Sequence, residues 1–254
     1  MITDALLLLG ADVRKLLRRR GLMALAATIA VGSVALVFAV NAARHGSDPL
    51  RHAPAGGIRH FEDATDFLGL IGVIVAAMLG STAGAGDAET GVLRDLIATG
   101  RSRAGLFASR AAAAVVVTVA VLAVALAVAG ACSVLLAGSL PAPSAGAIAH
   151  RDAAVLAFGA VTALVAVGIA TFVRSRGPVI AVVIGFGLVV SQVLAHVGFL
   201  GDVRAALPLE AFLRLVGDRT DGVHPSLAAA VAVIAAWGLA ALGAGSWWAR
   251  RVEV

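Results

Sequence analysis

Six apolar runs constrain this chain more than any other feature. They fall at residues 22–42, 67–86, 109–138, 153–173, 178–200 and 226–248. Each is about 20 residues or longer, enough for a helix to cross a hydrocarbon core of about 30 Å. The third run is the longest and must tilt, bend or extend past the bilayer. Composition agrees: 60% of residues are hydrophobic and 14% charged, with a mean hydropathy of +0.98, whereas soluble domains run at about 45–50% and about 25%. The expectation is an all-α integral membrane protein, a single transmembrane domain over residues 1–254. Abundant Ala and Gly suit close helix approach, because lipid gives helices no hydrophobic reason to associate.

Residues 1–21 precede the first run and read differently. Leu6, Leu9, Val13, Leu16 and Leu17 share one helical face, while Lys15, Arg18 and Arg19 fall on the other side and Arg14 and Arg20 flank the stripe. Thr3 and Asp4 suit a helix start. This pattern predicts an amphipathic helix lying on the membrane surface. The following run is too long for an ordinary signal-peptide core, so cleavage is not expected.

Six spans put both termini on one side. Segments 1–21, 87–110, 174–177 and 249–254 hold 13 Lys and Arg residues, against 7 in segments 43–66, 139–152 and 201–225. The first set is therefore expected to be cytoplasmic. Trp247 and Trp248, followed by Arg250 and Arg251, suit an interfacial anchor at the end of the last span. On the opposite side, 43–66 carries Gly46, Pro49, Pro54, Gly56 and Gly57 and reads as loop. Segment 201–225 reads as re-entrant or interfacial, with a short helix opening on Pro208.

Several function classes fall away. A Walker A loop needs a lysine after a glycine loop, and the single lysine, Lys15, lies in a basic amphipathic segment. There is no HExxH and no paired CxxC, and Cys132 alone allows no internal disulfide. Ion-coupled carriers place carboxylates or histidines within the membrane, and such residues are nearly absent from the runs. The high pI reflects basic residues flanking spans, so no nucleic-acid partner is expected. No clustered acids or histidines mark a membrane-embedded enzyme site. The six histidines (45, 52, 60, 150, 196 and 224) lie near the opposite face and, with Asp48, Glu62, Asp63 and Asp66, match no metal motif, so no metal is expected.

The most informative polar stretch is GDAETGVLRDLIATGRSRAGLFASR, residues 86–110. Leu93, Leu96 and Ile97 form a short apolar stripe bracketed by Gly91 and Gly100. The pattern predicts one helical piece prolonging the second span and one leading into the third, and a narrow stripe among mixed charges suits docking in a partner's groove. This segment resembles the loop after the second span in permeases of the ATP-binding-cassette type-2 exporter family. That pattern runs acid, three residues, Gly-Thr, a Leu-Leu pair, Pro, Ser-Arg and a basic residue. Asp87, Gly91, Leu96, Ile97, Ser102, Arg103 and Arg110 match without a gap, while Val92 replaces Thr, Gly100 replaces Pro and Arg110 replaces Lys. The resemblance implies that residues 87–108 form a cytoplasmic coupling loop with Asp87, Glu89, Gly91, Arg94, Asp95, Leu96, Ile97, Arg101, Ser102 and Arg103 in the joint. It further implies two copies of a cytosolic ATPase that carry ATP and Mg, a second permease copy or a paralogous permease, and no catalysis or cofactor in this chain. A bacterial cytoplasmic membrane is the expected location, with both termini cytoplasmic.

Two span features remain. Gly80 and Gly84 form a GxxxG, read either as a helix contact or as chance in a glycine-rich chain. Gln192 and His196 share a face and are candidates for a translocation path or for hydrogen bonds to a neighbouring helix. Apolar spans favour an amphipathic or lipid-like cargo, and the resemblance, together with short outer loops, implies a peptide antibiotic, drug or lipid. The alternative is a non-transporting anchoring or regulatory subunit of the same fold.

Overall fold

The computed structural model describes residues 2–98, 100, 102–217 and 225–251, all helix, turn or coil with no strand among them. The elements are α1 (Ile2–Leu17), α2 (Arg20–Ser47), α3 (Ile58–Glu89), α4 (Val92–Ala98), α5 (Arg103–Leu135), α6 (Ala145–Val173), α7 (Arg176–Ala195), a 3-10 segment (Gly198–Ala206), α8 (Pro208–Val216) and α9 (Leu227–Arg251). Six of these, α2, α3, α5, α6, α7 and α9, are long and apolar enough to cross a membrane. Helices α2 and α7 each contain one π-helical stretch, Thr28–Gly32 and Gly185–Val190.

Local chemistry explains most boundaries. Ser102, Ser144 and Ser226 stand before α5, α6 and α9, and their hydroxyls accept from Gly105 N, Ala147 N and Ala229 N at 3.1, 3.2 and 3.1 Å. Pro208 opens α8, and Gly217 ends it in a left-handed conformation. At the C-terminal end of α5, Leu136 O accepts from Gly56 N (2.9 Å) and Ser133 O from Gly57 N (2.7 Å), so the 48–57 loop caps carbonyls that the helix leaves unpaired.

Helices α3, α5 and α6 form the centre. In α3, 67% of the apolar stretch is buried, against 17% in α7 and α9. The GxxxG is a contact in this packing. A Cβ on Gly80 would sit 2.6 Å from Ala163 O, and one on Gly84 would sit 2.5 Å from Ala170 Cβ, so α3 and α6 meet nearly backbone to backbone. At the end opposite α1, α8 buries Leu209, Ala211, Phe212, Leu215 and Val216, and Phe212 stacks on Phe158 with ring centroids 4.7 Å apart. At the other end Trp248 stacks on Phe172 (4.8 Å), and the Arg251 guanidinium lies 4.1 Å above the Trp247 ring.

One expectation is corrected and a second feature is added. Segment 43–66 is mostly helix: α2 runs to Ser47 and α3 begins at Ile58. Phe61, Ala64, Thr65 and Leu68 are buried at helical spacing, while Glu62 and Asp66 turn to Arg151, and the Gly and Pro residues that read as loop extend only to Gly57, just before the helix. Helix α1 packs against the bundle. Leu9, Val13 and Leu16 pack against the core, leaving Leu6, Leu7 and Leu17 exposed.

Candidate functional site

The sequence stretch 86–110 folds as a helical joint between α3 and α5. Helix α3 runs on to Glu89, where Thr90 Oγ1 donates to Gly86 O (3.0 Å), and α5 begins at Arg103. Between them stands the short helix α4. Gly91 and Gly100 flank it with φ of +77° and +81°. Both angles lie in the region that favours glycine. Proline, with φ fixed near about −65°, could not occupy position 100 in this conformation.

Below the joint lies an ion cluster. Asp87 is 3% exposed, and its carboxylate contacts the Lys15 ammonium of α1 and Arg110 Nη2 of α5 (2.9 Å). The Arg110 contact has ion-pair distance without hydrogen-bond alignment. Ser109 Oγ donates to Asp12 of α1, and the Arg19 guanidinium lies against Gly86. Burial and the Arg110 guanidinium draw the Lys15 ammonium below the ordinary lysine range, and Asp12 opposes them. The acid and the basic residue that bound the motif thus meet across the turn, although 23 positions separate them in sequence.

Glu89 makes a second tie. It accepts from Arg176 N at 2.7 Å and pairs with the Arg176 guanidinium, fixing the end of α3 to the start of α7. Both partners are partly exposed, so Glu89→Gln is expected to shift the thermal midpoint by no more than about 2–4 °C, read by thermal unfolding in detergent.

The expected coupling residues therefore divide. Asp87 is an internal anchor and Glu89 a tie to α7. Ser102 caps α5, Arg103 is its first residue, and Gly91 and Gly100 form the turns. Asp95 is exposed and Leu96 half-buried on α4. The side chains of Arg94 and Ile97, and all of Arg101, lie outside the described residues. Sequence reasoning missed the partners Asp12, Lys15 and Ser109. Lys15 was assigned to the outward polar side of α1, yet it turns toward the bundle. The available signal was Asp12 and Lys15 three apart on one face, beside two opposite charges at adjoining span ends.

The second candidate set is less connected. His196 is exposed and its Nδ1 donates to Gln192 O (2.8 Å), closing the end of its own helix. Neither residue lines the apolar cavity beside α7. At the opposite face, Arg151 gathers Asp66 (2.7 Å), Thr65 Oγ1 (3.1 Å) and Glu62 O (3.3 Å), and His150 Nε2 donates to Leu215 O (2.8 Å). Among the described residues no group of three or more His, Cys, Asp or Glu could hold a metal. No protein-family model matches this chain, and no curated protein is significantly similar to it.

Proposed function

We propose that this chain is the transmembrane permease subunit of an ATP-driven exporter of the ATP-binding-cassette type-2 class. Helix α4, with the turns at Gly91 and Gly100, is the coupling helix, and it docks on a separate cytosolic ATPase that supplies the ATP and Mg chemistry. Two ATPases and a second permease copy complete the assembly in a bacterial cytoplasmic membrane, with α1, α4 and the C-terminus on the cytoplasmic side. The exposed Leu6, Leu7 and Leu17 of α1 face the membrane interface. The cargo is amphipathic or lipid-like.

One observation carries this reading. A short helix projects between two spans, and its stem is held by charge to α1, α5 and α7. A force applied at α4 then reaches α3 and α5 through a rigid base instead of dissipating in a loose loop. The test is to express the chain with its genomic neighbours, extract it in mild detergent and ask whether an ATPase co-purifies. Leu96→Asp, which charges the apolar stripe but leaves the spans intact, is expected to reduce ATPase recovery about tenfold or more, a loss of about 1.4 kcal/mol or above. Equal recovery with the variant would refute the docking role. An ATPase that binds while deletion of this chain leaves efflux unchanged would identify an anchoring or regulatory subunit instead.

A further inference from the structure

We infer that this chain binds one acyl chain of a membrane lipid in a cavity between α3, α6, α7, α8 and α9. The cavity measures about 220 Å³, and its walls include Val73, Phe158, Thr162, Phe186, Leu209 and Trp237, one or two from each helix. Among the described lining residues the only hydroxyl, on Thr162, already donates to Phe158 O at 2.8 Å, and the Trp237 N–H donates to Ala206 O at 3.0 Å. A water would need two to four polar partners, and none is free in the wall. Apolar cavities of about 150 Å³ stay dry and accept benzene, so this one is large enough for a flexible hydrocarbon segment. Left empty, its lining atoms would lack dispersion partners on one side.

Access distinguishes the occupant. The rim includes Val182, 51% exposed on α7. The cavity therefore opens beside a helix that the bilayer would surround, and a lipid chain enters sideways without leaving an apolar medium. The π stretch Gly185–Val190 forms part of the wall, and Ser191 Oγ donates to Phe186 O (2.7 Å) across it. The Phe186 ring stands beside Trp237, with ring centroids 5.7 Å apart. A π stretch inside a helix often accompanies a functional site. The acyl site does not depend on the exporter reading, because it uses no residue of the α4 joint.

Trp237, midway along α9, is a built-in reporter, since the other two tryptophans, Trp247 and Trp248, lie near the C-terminal end of that helix. The full chain carrying Trp247→Phe and Trp248→Phe, purified in detergent, is titrated with a phosphatidylcholine brominated midway along one acyl chain and, separately, with a brominated free fatty acid. Saturable quenching by the phospholipid is expected, near one lipid per chain, with apparent affinity at least tenfold weaker once Val165→Phe fills the cavity. Val182→Phe at the half-exposed rim repeats the test if Val165→Phe does not fold by circular dichroism. Quenching that rises without saturating, that is unaltered by either substitution, or that occurs only with the free fatty acid would overturn the inference.

Discussion

Asp87→Ala is expected to destabilise the purified chain by about 3–5 kcal/mol, read as a lower thermal midpoint in detergent. Arg110 is 7% exposed and loses its buried carboxylate partner, and a charge stranded out of water is costly. Adding Arg110→Met should restore most of the loss, because removing both members of a buried pair is often neutral. Lys15→Met should cost less than Asp87→Ala, because the buried Asp87 carboxylate keeps Arg110 as a partner and the Lys15 side chain is itself 41% exposed. A variant Asp87→Ala as stable as the native chain would show that the cluster does not anchor α1 to the joint.

The second large effect concerns the α3–α6 contact. Gly80→Leu should destabilise by about 3 kcal/mol or more, at or above the usual range for overpacking. Its Cβ would meet Ala163 O at 2.6 Å and Ala166 Cβ at 2.7 Å, and a backbone carbonyl cannot turn aside as a long side chain can. The two central helices would have to part. Gly130→Leu on α5, where nothing lies within 4 Å of a Cβ, is the matched control and should shift the midpoint little. Similar midpoints for the two variants would show that Gly80 and Gly84 are chance spacing.

These residues mark how far the sequence could be read. The spans were legible because length and hydropathy are nearly sufficient to identify a crossing helix. The turns at Gly91 and Gly100 were legible as punctuation, and Pro208 as a helix start. Residues 58–66 are misread because the glycines and prolines of 46–57 extend a loop reading across them, whereas the pairing of Glu62 and Asp66 with Arg151 of α6 is a tertiary fact. Lys15 was placed on the wrong side for the same reason. An amphipathic pattern locates the apolar stripe but does not say which flank meets a buried carboxylate. The GxxxG remained ambiguous because spacing alone does not tell which helix lies opposite. The apolar cavity needs five helices in register, and no local pattern announces it.

The rigidity of the joint and its partner are linked claims, and the partner is the more decisive. The most direct measurement is site-directed cross-linking with the co-expressed ATPase. In a chain carrying Cys132→Ala, one cysteine is introduced at exposed Asp95 of α4 and, separately, at Val203, 69% exposed at the opposite end. A short thiol-to-amine cross-linker is then applied in membranes. A covalent adduct of this chain with the proposed ATPase is expected from position 95 and none from position 203. No adduct from position 95, or equal adducts from both, would contradict it.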